Sequence, residues 1–265
     1  MVHTPRTSPP PAKLVKHGKR WTARFQAASG SPRRDWATQS AKKLLGAALR
    51  GLAHGKCVYC ESVLEVTGYL EVEHYISKTR APHLAFEWTN LLPACQRCNN
   101  AKSDQDHKNA LLKPDDEDPE PYFWLHPDTG RLEPHPNLDA AQAHRANETI
   151  RLCDLQRPAL CTKRIEMLKR VAQWLEQPQE PVWRDLSHPA TEYKFVLRHF
   201  LEIHGNGNWP NSTARNSECR RQNSSHEESR PHNSLISNAL FKKLLNLSSF
   251  RPPDSPPRRT VVQSP

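Results

Sequence analysis

The 265-residue chain has no apolar run approaching the length of a membrane span, which argues against a helical membrane protein. Its start lacks the apolar stretch of a secretory signal, so secretion is set aside and the cytoplasm is the expected compartment. Apolar residues are scarce, at 36% with a mean hydropathy of −0.81, and 24 prolines interrupt them. That composition allows a modest core in one or two domains, with sizeable irregular segments. No internal repeat is present. Acids are nearly missing from residues 1–56, where Asp35 stands alone against 12 Lys or Arg, while the remainder holds 26 bases and 27 acids. The whole formal excess of +10 therefore precedes Cys57. Such a segment attracts phosphate backbones by counterion release, without reading sequence. A solubilising, unstructured tail fits the proline-rich residues 1–20 equally well. The acid-poor start also has the composition of a transit peptide, but its proline run argues against the amphipathic helix such a peptide forms.

What the chain does have is seven cysteines, four of them in two pairs, Cys57-Val-Tyr-Cys60 and Cys95-Gln-Arg-Cys98, with 34 residues between the pairs. Each two-residue spacing lets its sulfurs converge on one ion, and four thiolates make the closed tetrahedron of a structural zinc site. Two unrelated thiol pairs, or a disulfide, are the alternatives. The gap is longer than in a minimal zinc ribbon, so further structure is built inside it. Paired thiols of this kind suit a reducing cytosol. Cys153 and Cys161 lie in helical apolar patterns and read as buried small hydrophobes, while Cys219 sits in a polar tail.

Inside the gap, Gly68-Tyr-Leu-Glu-Val-Glu73-His74-Tyr-Ile reads as a short strand ending in an acid–histidine pair. Phe86-Glu-Trp88-Thr-Asn90-Leu-Leu-Pro93 follows as an apolar segment with Asn90 as its polar residue. The second cysteine pair runs into Asn99, Asn100 and Lys102, with Asn99 and Lys102 on one face of a helix. Singly, His74, Asn90 and Asn99 are ordinary residues. Their joint order inside a cysteine frame is what signals hydrolytic chemistry, because histidine can take a proton from water near neutral pH. His83, His107, His126, His135 and His144 have no such frame and read as structural or solvated.

This order, over about residues 55–106, resembles the HNH endonuclease family, whose catalytic unit is a ββα-metal finger; with Asn in the third place, the chain is an H-N-N variant. The resemblance implies that His74 is the general base. It implies that Glu73 and Asn99 hold a catalytic divalent ion, Mg2+ or Mn2+, distinct from the structural Zn2+ on Cys57, Cys60, Cys95 and Cys98. Asn90 is expected to brace the loop carrying His74, and Lys102 to contact a substrate phosphate. Many family members carry Asp before the histidine, whereas this chain carries Glu73, one methylene longer.

A wider pattern, over about residues 36–175, looks like the PtuB-type HNH nucleases of bacterial anti-phage systems, the Septu and retron-associated kind. It comprises a helix before Gly55-Lys-Cys-Val-Tyr-Cys, the finger motifs, a Leu-Lys-Pro-Asp loop, an aromatic hairpin and a Glu148-Thr-Ile-Arg-Leu helix. In that group the nuclease works with an ATPase subunit, for which the helices after the finger would be a docking surface. The implied function is metal-dependent hydrolysis of phosphodiester bonds in DNA, in anti-phage defence. The alternatives are a non-catalytic zinc-binding nucleic-acid module and a stand-alone restriction or mobile-element nuclease.

Elsewhere, Trp36, Leu44, Leu45, Ala48 and Leu52 form a helical stripe, with Lys42, Lys43 and Arg50 on other positions. Tyr122–Leu125, the turn Pro127–Gly130 and Arg131–Glu133 form a hairpin. Helices are expected over Asp139–Leu155, with Asp139 as N-cap, and over Pro158–Leu175, Thr191–His204 and Asn238–Leu247. The predicted class is α+β: a ββα-metal HNH finger with a four-cysteine zinc knuckle, embedded in a mainly helical chain with disordered termini. Its expected divisions are 1–35, basic and disordered; 36–135, the finger with a leading helix and trailing hairpin; 136–204, helical; and 205–265, a polar, mostly disordered tail.

Overall fold

The centre of the molecule is a two-stranded sheet in which β1 (Leu70–His74) pairs antiparallel with β2 (Leu91–Cys95), His74 opposite Leu91 and Glu73 opposite Leu92. The computed structural model describes residues 1, 3–27, 37–64, 70–107, 110–176, 188 and 190–204. Pro93 has no N–H for a ladder, so it suits a short sheet, and its carbonyl accepts the Val58 N–H at 2.9 Å, drawing the first cysteine pair alongside β2. β2 runs directly into the helix containing Gln96–Lys102, whose N-cap is Cys95.

Two helices precede the sheet: α1 (Ala12–Ala27) and α2 (Gln39–Leu52); the finger helix is α3 (Gln96–Lys102). Thr38 caps α2, its hydroxyl accepting the Ala41 N–H. Of the expected stripe on α2, Leu45 is fully buried, as is Leu49 one turn on, whereas Leu44 is half-buried. Trp36 lies outside the described residues.

The hairpin forms as β3 (Phe123–Leu125) against β4 (Leu132–Pro134). Gly130 closes its turn at φ +66°, where a Cβ would come within 2.2 Å of the Cys161 carbonyl oxygen, so both backbone angle and space require glycine. Three helices follow, α4 (Ala140–Leu152), α5 (Pro158–Glu176) and α6 (Lys194–His204). Asp139 and Gln142 make a reciprocal capping box at the start of α4. Cys153 and Cys161 are both buried, Cys153 within the apolar core and Cys161 with its sulfur 3.6 Å from the Gln156 carbonyl oxygen.

The expected divisions need two corrections. Residues 1–35 are not uniformly disordered. Helix α1 starts immediately after the prolines, with the Leu14 N–H donating to the Pro11 carbonyl, and it buries Leu14, Gly18 and Phe25. Arg6 is also anchored, to Asp115 at 2.5 Å and over the Trp88 ring at 4.9 Å. Nor does packing break between 135 and 136. Val58, Tyr59, Leu92, Phe123, Leu132, Ile150, Leu168, Val196 and Phe200 share one apolar cluster, so α4–α6 and the finger are built on a common core. A second cluster joins α1, α2 and the outer side of the finger through Leu14, Phe25, Leu45, Leu49, Phe86 and Leu91. Cys219, the expected helix Asn238–Leu247 and the tail lie outside the described residues. Among the described residues no helix is long and apolar enough to cross a membrane.

Candidate active site

The four paired cysteines converge. Their sulfurs all lie within 4.8 Å of one another, every one is buried, and none forms a disulfide. Cys60 Sγ and Cys95 Sγ are 3.8 Å apart, and a tetrahedral zinc with ~2.3 Å bonds places its sulfurs at roughly 3.8 Å. Neighbouring thiols, Cys57 first, hold the Cys60 and Cys95 sulfurs toward thiolate, Cys95 to about 7. Arg157 brings its Nη1 to 3.5 Å from Cys98 Sγ, a fixed cation beside a set that becomes anionic on deprotonation. Four soft donors without a carboxylate fit a closed site for a soft or borderline divalent metal.

Just beyond this cluster, the end of β1 turns two consecutive side chains in different directions, and both are buried. His74 points to the turn at residues 82–85, where its Nε2 lies 2.9 Å from the Ala85 carbonyl oxygen. A carbonyl only accepts, so Nε2 carries the proton and the lone pair of the neutral ring is on Nδ1. Burial, with the positive charge of Lys78, pushes the imidazole down to about 3, so the ring is neutral at physiological pH. Glu73 points the other way, to α3, where Lys102 Nζ sits 2.7 Å from its Oε1. The same ammonium donates to the His74 carbonyl at 2.8 Å, and the Tyr59 hydroxyl lies 3.5 Å from Glu73 Oε1. Burial raises the Glu73 pKa and the Lys102 charge offsets part of that rise.

Asn90 is buried at the end of the turn before β2 and makes three hydrogen bonds. Its Oδ1 accepts the Ile76 N–H at 2.8 Å, and its Nδ2 donates to the Ile76 and Leu84 carbonyls at 2.9 and 3.2 Å. One buried amide thus ties the segment after His74 to the turn that holds the His74 ring. His107 adds a second brace, its Nε2 2.9 Å from the Tyr75 carbonyl, which accords with a structural reading of that histidine. Asn99 lies half-buried on α3, one turn before Lys102.

Lys102 departs from its expected place. It is fully buried and spends its charge on Glu73 and the His74 backbone, so it does not present an ammonium to a phosphate at the surface. Three participants escape sequence reasoning: the Ala85 carbonyl, Tyr59 and Arg157. A backbone oxygen has no signature in sequence, and Tyr59 reads as filler between two cysteines. Arg157 meets Cys98 across 59 residues.

Residues 57–105 match the family model for HNH endonuclease. The chain is similar to the Septu protein PtuB of Bacillus thuringiensis, 38% identical over 109 residues, which is 41% of this chain and 39% of that protein. It is also similar to the Septu protein PtuB of Bacillus mycoides (strain KBAB4), 33% identical over 97 residues, covering 30% of this chain and 33% of that one. The matched segments thus span less than half the length of these relatives.

Proposed function

We propose that the chain hydrolyses phosphodiester bonds in DNA and serves as the nuclease component of a Septu-type anti-phage system, a reading supported by the match of residues 57–105 to the HNH endonuclease model. The observation that carries the reading is the hydrogen bond from His74 Nε2 to the Ala85 carbonyl at 2.9 Å. It leaves the basic nitrogen of a neutral imidazole on Nδ1, with a carboxylate on the preceding residue. His74 takes a proton from the attacking water through Nδ1. Asn90 holds the strand end and the Ala85 turn in register, so that the base keeps its tautomer and its aim.

Two metals belong to this reading. Zn2+ is held by Cys57, Cys60, Cys95 and Cys98 and ties the first cysteine pair to the start of α3. Glu73 and Asn99 offer oxygen donors only, the chemistry that a hard ion such as Mg2+ or Mn2+ takes, and the carboxyl group has a second oxygen beyond the one facing Lys102. Such an ion supplies charge neutralisation at the phosphate and the leaving oxygen. An ATPase partner, as the resemblance implies, would dock on the helices after the finger.

The test is cleavage of plasmid DNA by purified chain with added Mg2+ or Mn2+. His74→Ala should lower the rate by on the order of 10²–10⁴, while zinc content and DNA binding persist. A His74→Ala preparation as active as the parent overturns the assignment. A parent that binds DNA and cuts none under any metal leaves the non-catalytic zinc module as the better description.

A further inference from the structure

Helix α1 carries five exposed cations, Lys13, Lys16, Lys19, Arg20 and Arg24, and no acid in its first turn or anywhere else along its length. None of the five makes an ion pair among the described residues. Four of them, Lys13, Lys16, Arg20 and Arg24, fall within an arc of about 80° at 3.6 residues per turn and span ~16 Å along the axis. The opposite side of the helix is already committed. Leu14, Gly18 and Phe25 are buried, and Trp21 lies on Phe86 with ring centroids 5.4 Å apart. The groove along the other flank includes Lys19, His83 and Glu87, so the acid of that groove lies off the four-residue stripe.

We propose that this stripe is a docking rail for the phosphate backbone of duplex DNA, fixed in register with the catalytic finger. The inference rests on the nuclease reading and adds where the substrate is gripped. Charge complementarity identifies the occupant: an acid-free row of four cations meets a polyanion. Two other occupants fit worse. A basic amphipathic helix binds a lipid surface by burying its apolar face, and here that face is buried against the finger, leaving Val15 as the large hydrophobic that is exposed. Single strands are gripped by aromatic platforms that stack bases, and the helix's aromatics, Trp21 and Phe25, are turned inward. A straight row of cations without stacking groups suits the regular phosphates of a duplex.

The docking is mechanically tied to the chemistry. Helix α1 packs on the turn Pro82–Leu84, and the next residue, Ala85, accepts the His74 hydrogen bond. The rail and the base therefore rest on one short segment, so a duplex seated on the rail lies at a set distance from His74. Arg6, by contrast, is engaged with Asp115 and the Leu91 carbonyl and is excluded from the rail.

The experiment uses the full chain carrying His74→Ala, so that the readout is binding alone and the nuclease reading can fail without disturbing it. Lys13, Lys16, Arg20 and Arg24 are changed together to Gln, and duplex DNA binding is titrated at several salt concentrations. The log–log salt slope should flatten by ~0.9 for each phosphate no longer neutralised, about 3.6 if all four cations engage. Zinc content and thermal midpoint, measured alongside, should stay at the parent's values because the positions are exposed. Should the quadruple variant misfold, Arg20→Glu/Arg24→Glu replaces it and should weaken duplex binding more than tenfold. A folded variant with the parent's slope overturns the proposal. So does a loss confined to single-stranded DNA, to duplex RNA, or to phosphatidylserine vesicles.

Discussion

Lys102 and Glu73 form an ion pair 2.7 Å long inside the finger, with side-chain exposures of 0% and 2%. The ammonium at the end of α3 also holds the His74 carbonyl at 2.8 Å, so one lysine links the finger helix to both residues that end β1. The pair makes the orientation of the strand end depend on the helix packed against it.

Removing one member of a buried pair leaves an uncompensated charge. Lys102→Met is expected to destabilise the protein by about 3–5 kcal/mol, and Lys102→Met/Glu73→Gln by distinctly less. Chemical denaturation of the two variants measures this. A single variant as stable as the parent, with its only loss in DNA affinity, would return Lys102 to the phosphate role that its sequence position suggests.

Asn90→Ala removes three hydrogen bonds at once and strands the Ile76 N–H and the Ile76 and Leu84 carbonyls. We expect a loss of about 1–3 kcal/mol or more, retained zinc, and slowed cleavage, because the turn bearing Ala85 then holds His74 less firmly. Cleavage at the parent's rate in a folded Asn90→Ala protein would separate the brace from catalysis.

The two proposed metals should behave differently. Purified protein should hold about one zinc per chain, a closed thiolate site resisting exchange, and still need added Mg2+ or Mn2+ to cut. Cys57→Ser or Cys98→Ser should lower both zinc content and the thermal midpoint together. Elemental analysis finding no zinc in folded, soluble parent would remove the structural site.

Glu117 and Arg145 join the loop before the hairpin to α4. Burial acts to raise the Glu117 carboxyl pKa, but the hydrogen bonds and charge of Arg145, with the hydrogen bonds from the Lys113 N–H and the Tyr122 hydroxyl, together outweigh it and hold the group below 4.5. A carboxyl with a depressed folded pKa contributes stability above its unfolded value and loses it as pH falls through the folded one. Arg145→Gln should therefore cost about 0.5–1 kcal/mol near neutrality, given the partial exposure of the pair. That difference should shrink as pH falls below 4.5. Equal differences at both ends of the range would mean that the interaction acts through packing on Tyr122 instead.

The finger was legible in the chain because its information is local. Two-residue cysteine spacings dictate knuckles, Asn99 and Lys102 share a helix turn, and Asp139 marks the N-cap of α4. Helix α2 was recognisable from its stripe, although Leu49 joins Leu45 as fully buried while Leu44 is only half-buried, since a stripe names a face and the packing partner decides its centre. Tertiary structure alone decided the rest. Composition made residues 1–35 look like a solvated tail, and an amphipathic helix of this charge is marginal on its own. It is burial of Leu14, Gly18 and Phe25, with Trp21 tilted against Phe86, that gives α1 a place. Likewise the chain order puts Lys102 beside the proposed catalytic residues but does not say whether its charge faces a phosphate or Glu73. That choice depends on which atoms surround the ammonium once the strand end and the helix are packed, and packing turned it inward.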